Sequence, residues 1–344
     1  MSSRPATRTV SVALSAMPWL FLVGVVTTFG LLSGRFLTVG NFAAILAQSS
    51  WLIVAALGMN FILLSSGVDL SVGAGMYLSA VVMGTVLASA PVWLDLLAAI
   101  LVGGTLGTVN GFFVVKFGLP SFVVTLASAF IARGLGLYLS STKIVFVSAR
   151  VAELGRDKFL GVSFSLIFAT MAFCFAWLLL RKTQFGLYIR SIGADAEGAR
   201  KAGVPAHLAT WSVFAVGGGF AGFAGFVLVS QTSAASAAFG QNAEFLAIAA
   251  AVLGGTSLFG GRGTLVAPII GAILITTVQN GLAIINANPY AYPVIIGLVI
   301  FLAALLDSVR SRLSVLAGRR NTRKSLQKRP SPDASLLLDD VAHN

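Results

Sequence analysis

Residues 67–76 read GVDLSVGAGM and set an aspartate inside a long run of apolar and small residues. Upstream, no Asp, Glu, Lys or Arg occurs between Arg35 and Asp69; downstream, none occurs before Asp95. A charge at the centre of a bilayer costs about 3 kcal/mol or more, so an acid in such surroundings lies at an interface, is enclosed by protein, or is functional. The surroundings extend to the whole chain. Its 344 residues are 57% hydrophobic and 10% charged, with mean hydropathy +0.93, where a soluble domain carries about 25% charged residues. The expected fold class is an all-α polytopic integral membrane protein.

A spanning helix needs roughly 20 apolar residues, and apolar runs of that order recur ten times, at 17–34, 42–65, 71–90, 94–115, 120–139, 164–180, 209–230, 245–259, 265–285 and 293–306. The first follows Arg4 and Arg8 like a signal peptide, yet its uncharged stretch runs from Thr9 to Gly34 and no A-x-A site closes it, so it reads as an uncleaved anchor. With ten spans both termini share a side. The segments on that side hold 17 of the 23 Lys and Arg residues, against five on the other face and Arg133 within a span. The positive-inside rule then makes both termini cytoplasmic. The expected organisation is a cytoplasmic N-terminus over 1–16, a membrane domain over 17–308 with a cytoplasmic loop at 181–208, and a basic, mobile cytoplasmic tail over 309–344. That tail suits anionic lipid, and the placement of the net charge of +12 argues against nucleic acid.

GVDLSVGAG at 67–75 aligns with GTSLFGGRG at 255–263, and the VNG of 109–111 aligns with the QNG of 279–281, each followed by a proline, at 120 and 289. The pattern suggests an internal duplication, one way transporters are built. Both glycine-rich stretches are poor continuous helix, so each copy is expected to break near the cytoplasmic side, where protein or water must satisfy the freed backbone. Gly67, Asp69, Ser71 and Gly73 belong to the first break, and Gly255, Ser257 and Gly261 to the second. Asp69 has two readings, a cap on the helix opening near Ser71 or a group in a transport path.

Soluble-protein motifs fail here. GGGFAG at 217–222 lies inside an apolar span with no strand before it, and it reads as close helix packing together with Gly103, Gly107 and Gly111. GTSLFGGR lacks the Lys and Ser/Thr of a phosphate loop. The lone Cys174 forms no intrachain disulfide, and the two histidines, His207 and His343, make no catalytic site or metal cluster. No catalytic or metal residue is assigned.

The segment GLYIRSIGADAEGARKAGVP, 186–205, carries a complete short helix over 196–202. Asp195 caps it, Glu197 suits its first turn, Arg200 and Lys201 suit its last, Gly203 supplies a left-handed stop and Pro205 prevents continuation. Seven residues span about 10 Å, too short to stand alone, so the helix needs a docking partner.

With GVDLSVG (67–73), LPSFVVTLASAFIARGL (119–135), the 186–204 segment and above all AAAVLGGTSLFGGRGTLVAPIIGAILI (249–275), the chain resembles permease subunits of bacterial ABC importers of the ribose and related monosaccharide class. The likeness runs from about Phe36 to Asp307. EGARKAG at 197–203 is similar to the loop through which such permeases contact their ATPase, with Gly198 in place of an alanine. The resemblance implies that Gly193, Asp195, Glu197, Ala199, Arg200 and Gly203 couple to a cytoplasmic ABC ATPase. It further implies a second permease copy, identical or related, and a periplasmic or lipid-anchored solute-binding protein. ATP and Mg would be used by the partner ATPase, and this chain would bind no cofactor. Gln48, Asn60, Asn110, Gln279 and Asn280 suit a path for a neutral hydroxylated solute, or equally hydrogen bonds between helices. The alternative class is an ATP-independent secondary transporter or channel, with Asp69, Asp95, Arg133 or Glu244 as its titrating group.

Overall fold

The computed structural model describes residues 5–298, 301 and 305, with side chains from residue 18 onward. Helix α1 (Pro5–Leu32) begins twelve residues before the expected first span, and its apolar part runs from Pro18. Helix α2 (Val39–Leu64) starts where the Thr38 hydroxyl accepts the Asn41 amide at 3.3 Å. It carries no charge, and it is buried almost without interruption from Ser49 to Leu64. A helix apolar on every side belongs at the centre of a bundle. Helix α10 (Ala206–Thr232) is the other central helix. It packs on α4 (Val92–Phe117), where a Cβ added at Gly103 or Gly107 would strike the backbone of Phe214, Gly218 and Gly222. Small residues at four-residue spacing permit that approach, as the sequence suggests.

Helices α5 (Ser121–Ser140) and α7 (Phe164–Lys182) lie further out and leave large apolar side chains such as Phe130 and Phe175 exposed. Helix α12 (Val266–Ile284) packs on α2 and on α11 (Ala243–Leu253).

Among the described residues, six helices are long and apolar enough to cross a membrane, namely α2, α4, α5, α7, α10 and α12. Shorter apolar helices, Pro18–Leu32, Val72–Thr85, Ala243–Leu253 and Pro289–Leu298, stand at the four remaining places where spans are expected. Helix α3 (Val72–Thr85) and α11 have 14 and 11 residues, about 21 and 16 Å against a hydrocarbon core of about 30 Å. Both are buried half-length helices interrupted by irregular backbone. The expected span at 245–259 stops at Leu253, and a loop then runs as far as Leu265. A short helix, Pro289–Leu298, opens the tenth expected span, whose residues 299, 300, 302–304 and 306 lie outside the described residues, as does the basic tail over 309–344.

The two stretches aligned in the expected duplication, VNG and QNG, are placed differently relative to the breaks. Helix α3 intervenes between the first break and Asn110 on α4, whereas no helix separates the second break from Gln279 on α12. VNG and QNG therefore occupy non-equivalent helices.

At one end of the bundle β1 (Val145–Phe146) pairs antiparallel with β4 (Ala234–Ala235), and β2 (Lys158–Phe159) pairs with β3 (Val162–Ser163). The short helix α6 (Ala149–Arg156) lies between β1 and β2. At the opposite end a hairpin of α8 (Gln184–Ala194) and α9 (Ala196–Lys201) projects.

Candidate functional site: two helix breaks and a hairpin

After Leu64 the chain turns through Ser66, at φ 64°, and runs irregularly to Ser71. Its amides are taken up by side chains from neighbouring helices and by one carboxylate. The Val68 amide donates to the Ser121 hydroxyl at 3.1 Å and the Leu70 amide to the Thr125 hydroxyl at 3.0 Å. Asp69 is 1% exposed. Its Oδ1 accepts both the amide and the hydroxyl of Ser71, at 2.7 and 2.6 Å, and Asn110 Nδ2 donates to that hydroxyl at 2.9 Å. The expected cap is thus modified. Ser71, not Asp69, is the cap residue of α3, and it makes no capping bond of its own. Asp69 acts one step earlier, fixing Ser71. A second acid serves the same helix end, since the Glu244 carboxylate lies against Gly73.

The second break, 254–265, satisfies its backbone mainly from within. The Ser257 amide donates to Arg262 O at 2.9 Å and the Thr256 amide to Ala251 O at 3.0 Å. Asn60 on α2 spans this break by accepting the Thr256 hydroxyl at 2.7 Å and donating to Thr264 O at 3.4 Å. Gly261 adopts φ 68°, a conformation that a Cβ disfavours.

The two breaks meet. Gly261 N donates to Leu64 O at 3.0 Å, and the Ser66 hydroxyl reaches Phe259 O at 2.9 Å and Gly193 O at 3.1 Å. Gly193, near the end of α8, is packed so tightly that a Cβ there would overlap Leu64 O and the Gly261 amide. One hairpin residue therefore touches both interruptions.

Beyond Gly193, Asp195 Oδ1 accepts the Glu197 and Gly198 amides at 3.1 and 3.0 Å, and Gly203 sits at φ 83°. Start and stop agree with the sequence to within a residue. Ala199 is buried with Ile192 and Ala209, and Tyr188, Val204 and Ala206 pack around them. Asp195, Glu197, Arg200 and Gly203 are exposed on the outer face, where Lys201 pairs with Glu197 at 2.8 Å. Helix α8 is absent from the sequence-based expectations. Its buried Gly186, Ile189 and Ile192, spaced by three, are the signal that could have found it. Burial lowers the pKa of the Arg190 guanidinium from its ordinary value, and Arg181 adds to the shift.

Of the path candidates, Asn60 and Asn110 are fully buried, one at each break; Gln48 is exposed on α2, and Gln279 and Asn280 are half-buried near the end of α12. A further cluster is not legible from spacing alone. Arg133, midway along α5, donates to Phe239 O at 2.7 Å and Ala237 O at 3.3 Å, with its guanidinium 4.9 Å from the centre of the Tyr77 ring. It fastens the segment 233–242, which turns inward from β4 until Gly240 meets Gly73 at the start of α3.

Half-length helices joined by irregular backbone and enclosed in a bundle of apolar spans define a polytopic membrane permease. The chain belongs to the family described as branched-chain amino acid transport system / permease component, which matches residues 41–304. It is 35% identical over 301 residues to the ribose import permease protein of Bacillus subtilis, covering 86% of this chain and 92% of that one. It is 33% identical over 298 residues to the D-allose transport system permease protein of Escherichia coli K12, covering 86% and 91%. The fructose import permease protein of Rhizobium meliloti is 30% identical over 305 residues, covering 85% of each chain. No solved structure matches the chain.

Proposed function

We propose that the chain is the membrane-spanning subunit of an ATP-driven importer and forms the path for a monosaccharide or similar neutral hydroxylated solute. Similarity over 85–86% of the chain to permeases named for ribose, D-allose and fructose carries the reading. Hydrolysis belongs to a separate cytoplasmic ABC ATPase, which binds ATP and Mg and docks on the exposed side of α9; this chain binds no cofactor. A periplasmic or lipid-anchored binding protein delivers the solute, and two permease copies, identical or related, enclose the path. The membrane is the bacterial inner membrane, with the membrane domain at 17–308 and both termini in the cytoplasm, in keeping with the charge distribution.

The test is uptake of labelled ribose, D-allose and fructose by proteoliposomes holding the assembled complex. ATP-dependent uptake of one of them is expected, and uptake driven by a proton gradient without ATP would favour the secondary-transporter alternative. In the same complex Gly203→Val should lower solute-stimulated ATP hydrolysis several-fold, because a β-branched residue at φ 83° costs about 1–2 kcal/mol and re-aims the hairpin. Well-folded Gly203→Val protein with unchanged stimulation would reduce the hairpin to a simple turn. For orientation, in a Cys174→Ser background, a cysteine at Arg156 should react with an impermeant thiol reagent in intact cells, and one at Lys201 should not.

A further inference from the structure

Helices α4 and α7 stand apart over α10 and leave a groove of about 710 Å³ between them. Its walls include Thr105 and Thr108 of α4 and Met171 and Phe175 of α7, and its floor includes Gly219 and Phe223 of α10. None of the lining residues is ionisable. Along α4 the lining runs from Leu96 to Thr108, about 18 Å at 1.5 Å per residue. That is somewhat more than half of a hydrocarbon core about 30 Å thick, which is the reach of one acyl chain within one leaflet.

The groove also has a charged mouth. Both helices end at the hairpin end of the bundle. α4 brings Asn110 to the first break near its end, and α7 runs into α8. Their last turns hold Lys116 on α4 and Arg181 and Lys182 on α7. Lys116 follows Thr105 by eleven residues, and Lys182 follows Met171 by eleven and Phe175 by seven. Residues seven or eleven apart fall within about 20° of one another around a helix, so Lys182 continues the α7 stripe that lines the groove and Lys116 continues the outer edge of the α4 lining, above Thr105. Lys182 Nζ lies 5.3 Å from the centre of the Trp177 ring, an aromatic of the type that favours the headgroup level.

We propose that this groove binds an anionic phospholipid, with one acyl chain laid between α4 and α7 and its phosphate held between Lys116 and Lys182. Basic pockets between helices at the cytoplasmic face select anionic headgroups, and an uncharged groove accepts only the hydrocarbon. The inference goes beyond the transport reading and does not depend on which solute is carried, so the two fail separately. Loss of the lipid site leaves uptake by the assembled complex as the test of function.

The experiment uses the full chain in mild detergent, offered equal amounts of phosphatidylglycerol and phosphatidylcholine with identical acyl chains, and counts bound lipid by native mass spectrometry. Wild type should prefer phosphatidylglycerol on the order of tenfold. Lys116→Gln combined with Lys182→Gln should bind the two lipids about equally. Gly104→Leu should lose the bound lipid, because its Cβ meets nothing closer than 3.7 Å and the rest of the side chain enters the groove. Thr105→Phe, from the exposed side of the same wall, should do likewise and guards against a folding defect in the first variant. Equal binding of the two lipids by wild type overturns the proposal. So does phosphatidylglycerol retention unchanged in both groove-filling variants, which would place the lipid elsewhere and leave the groove to a second copy or another segment of the chain.

Discussion

The two breaks look alike in sequence and are held by different means. The first, between α2 and α3, borrows its partners: hydroxyls of Ser121 and Thr125 from α5, an amide of Asn110 from α4, and the carboxylate of Asp69 from its own turn. The second, between α11 and α12, folds back on its own backbone, uses Gly261 at φ 68° and takes two side chains from outside, Asn60 of α2 and the Ser66 hydroxyl. Irregular backbone at membrane depth can thus be satisfied by imported side chains or by glycine geometry. The first solution ties the break to α4 and α5, whereas the second leaves it attached mainly to α2 and the hairpin.

The largest effect should separate these solutions. Asp69→Leu orphans the amide and the hydroxyl of Ser71 in a buried place, at about 1–3 kcal/mol for each donor, so monodisperse protein after detergent extraction should fall sharply. Asp69→Asn keeps an acceptor oxygen and should fall much less. Equal losses in the two variants would mean that the charge, not the hydrogen bonds, holds the first break. Next in size is Gly261→Val. It combines a left-handed φ with a Cβ only 2.9 Å from Ala194 Cα, for about 2–3 kcal/mol in thermal unfolding of the purified chain. A neutral outcome would show that the second break does not depend on glycine.

Smaller, and more informative about linkage, is the pair Asn60→Leu and Asn110→Leu, each expected to cost about 1–3 kcal/mol. Independent breaks give additive losses within about 0.5 kcal/mol. The contact of Gly261 N with Leu64 O predicts a larger deviation, read from a double-mutant cycle on the melting curve. Smallest should be exchange of Glu197 and Lys201. Their exposed pair is worth about 0.3–0.5 kcal/mol, and neither residue reaches a break, so unfolding should shift hardly at all.

Local chemistry was legible in the sequence. The glycine-rich stretches announced both breaks, and the cap and stop signals placed α9 to within one residue, because each depends on neighbours two or three positions away. Features that depend on distant partners were not legible. Arg133 holds the backbone of Phe239, 106 positions along the chain, and Asn60 meets Thr256 at a separation of 196. A lone arginine or asparagine in a span therefore reads equally as path or as structure. The half-length of α3 and α11 was hidden for the same reason, since apolar residues continue past the points where backbone partners change. The placement of VNG and QNG was not legible either, because NG followed some residues later by a proline is too small a pattern to fix which helix carries it.

The contact at Gly193 has a mechanical meaning. Gly193 packs with its bare backbone against Leu64 O and the Gly261 amide, and only one short side chain, that of Ser66, intervenes. Ser66 holds Gly193 O and Phe259 O through one short hydroxyl. A lever joined this way has almost no slack. A displacement of the hairpin is expected to be felt at Leu64 and at the loop around Gly261, which it touches directly. If the hairpin meets an ATPase as proposed, substitutions that loosen this joint should show first as ATP consumed without solute moved.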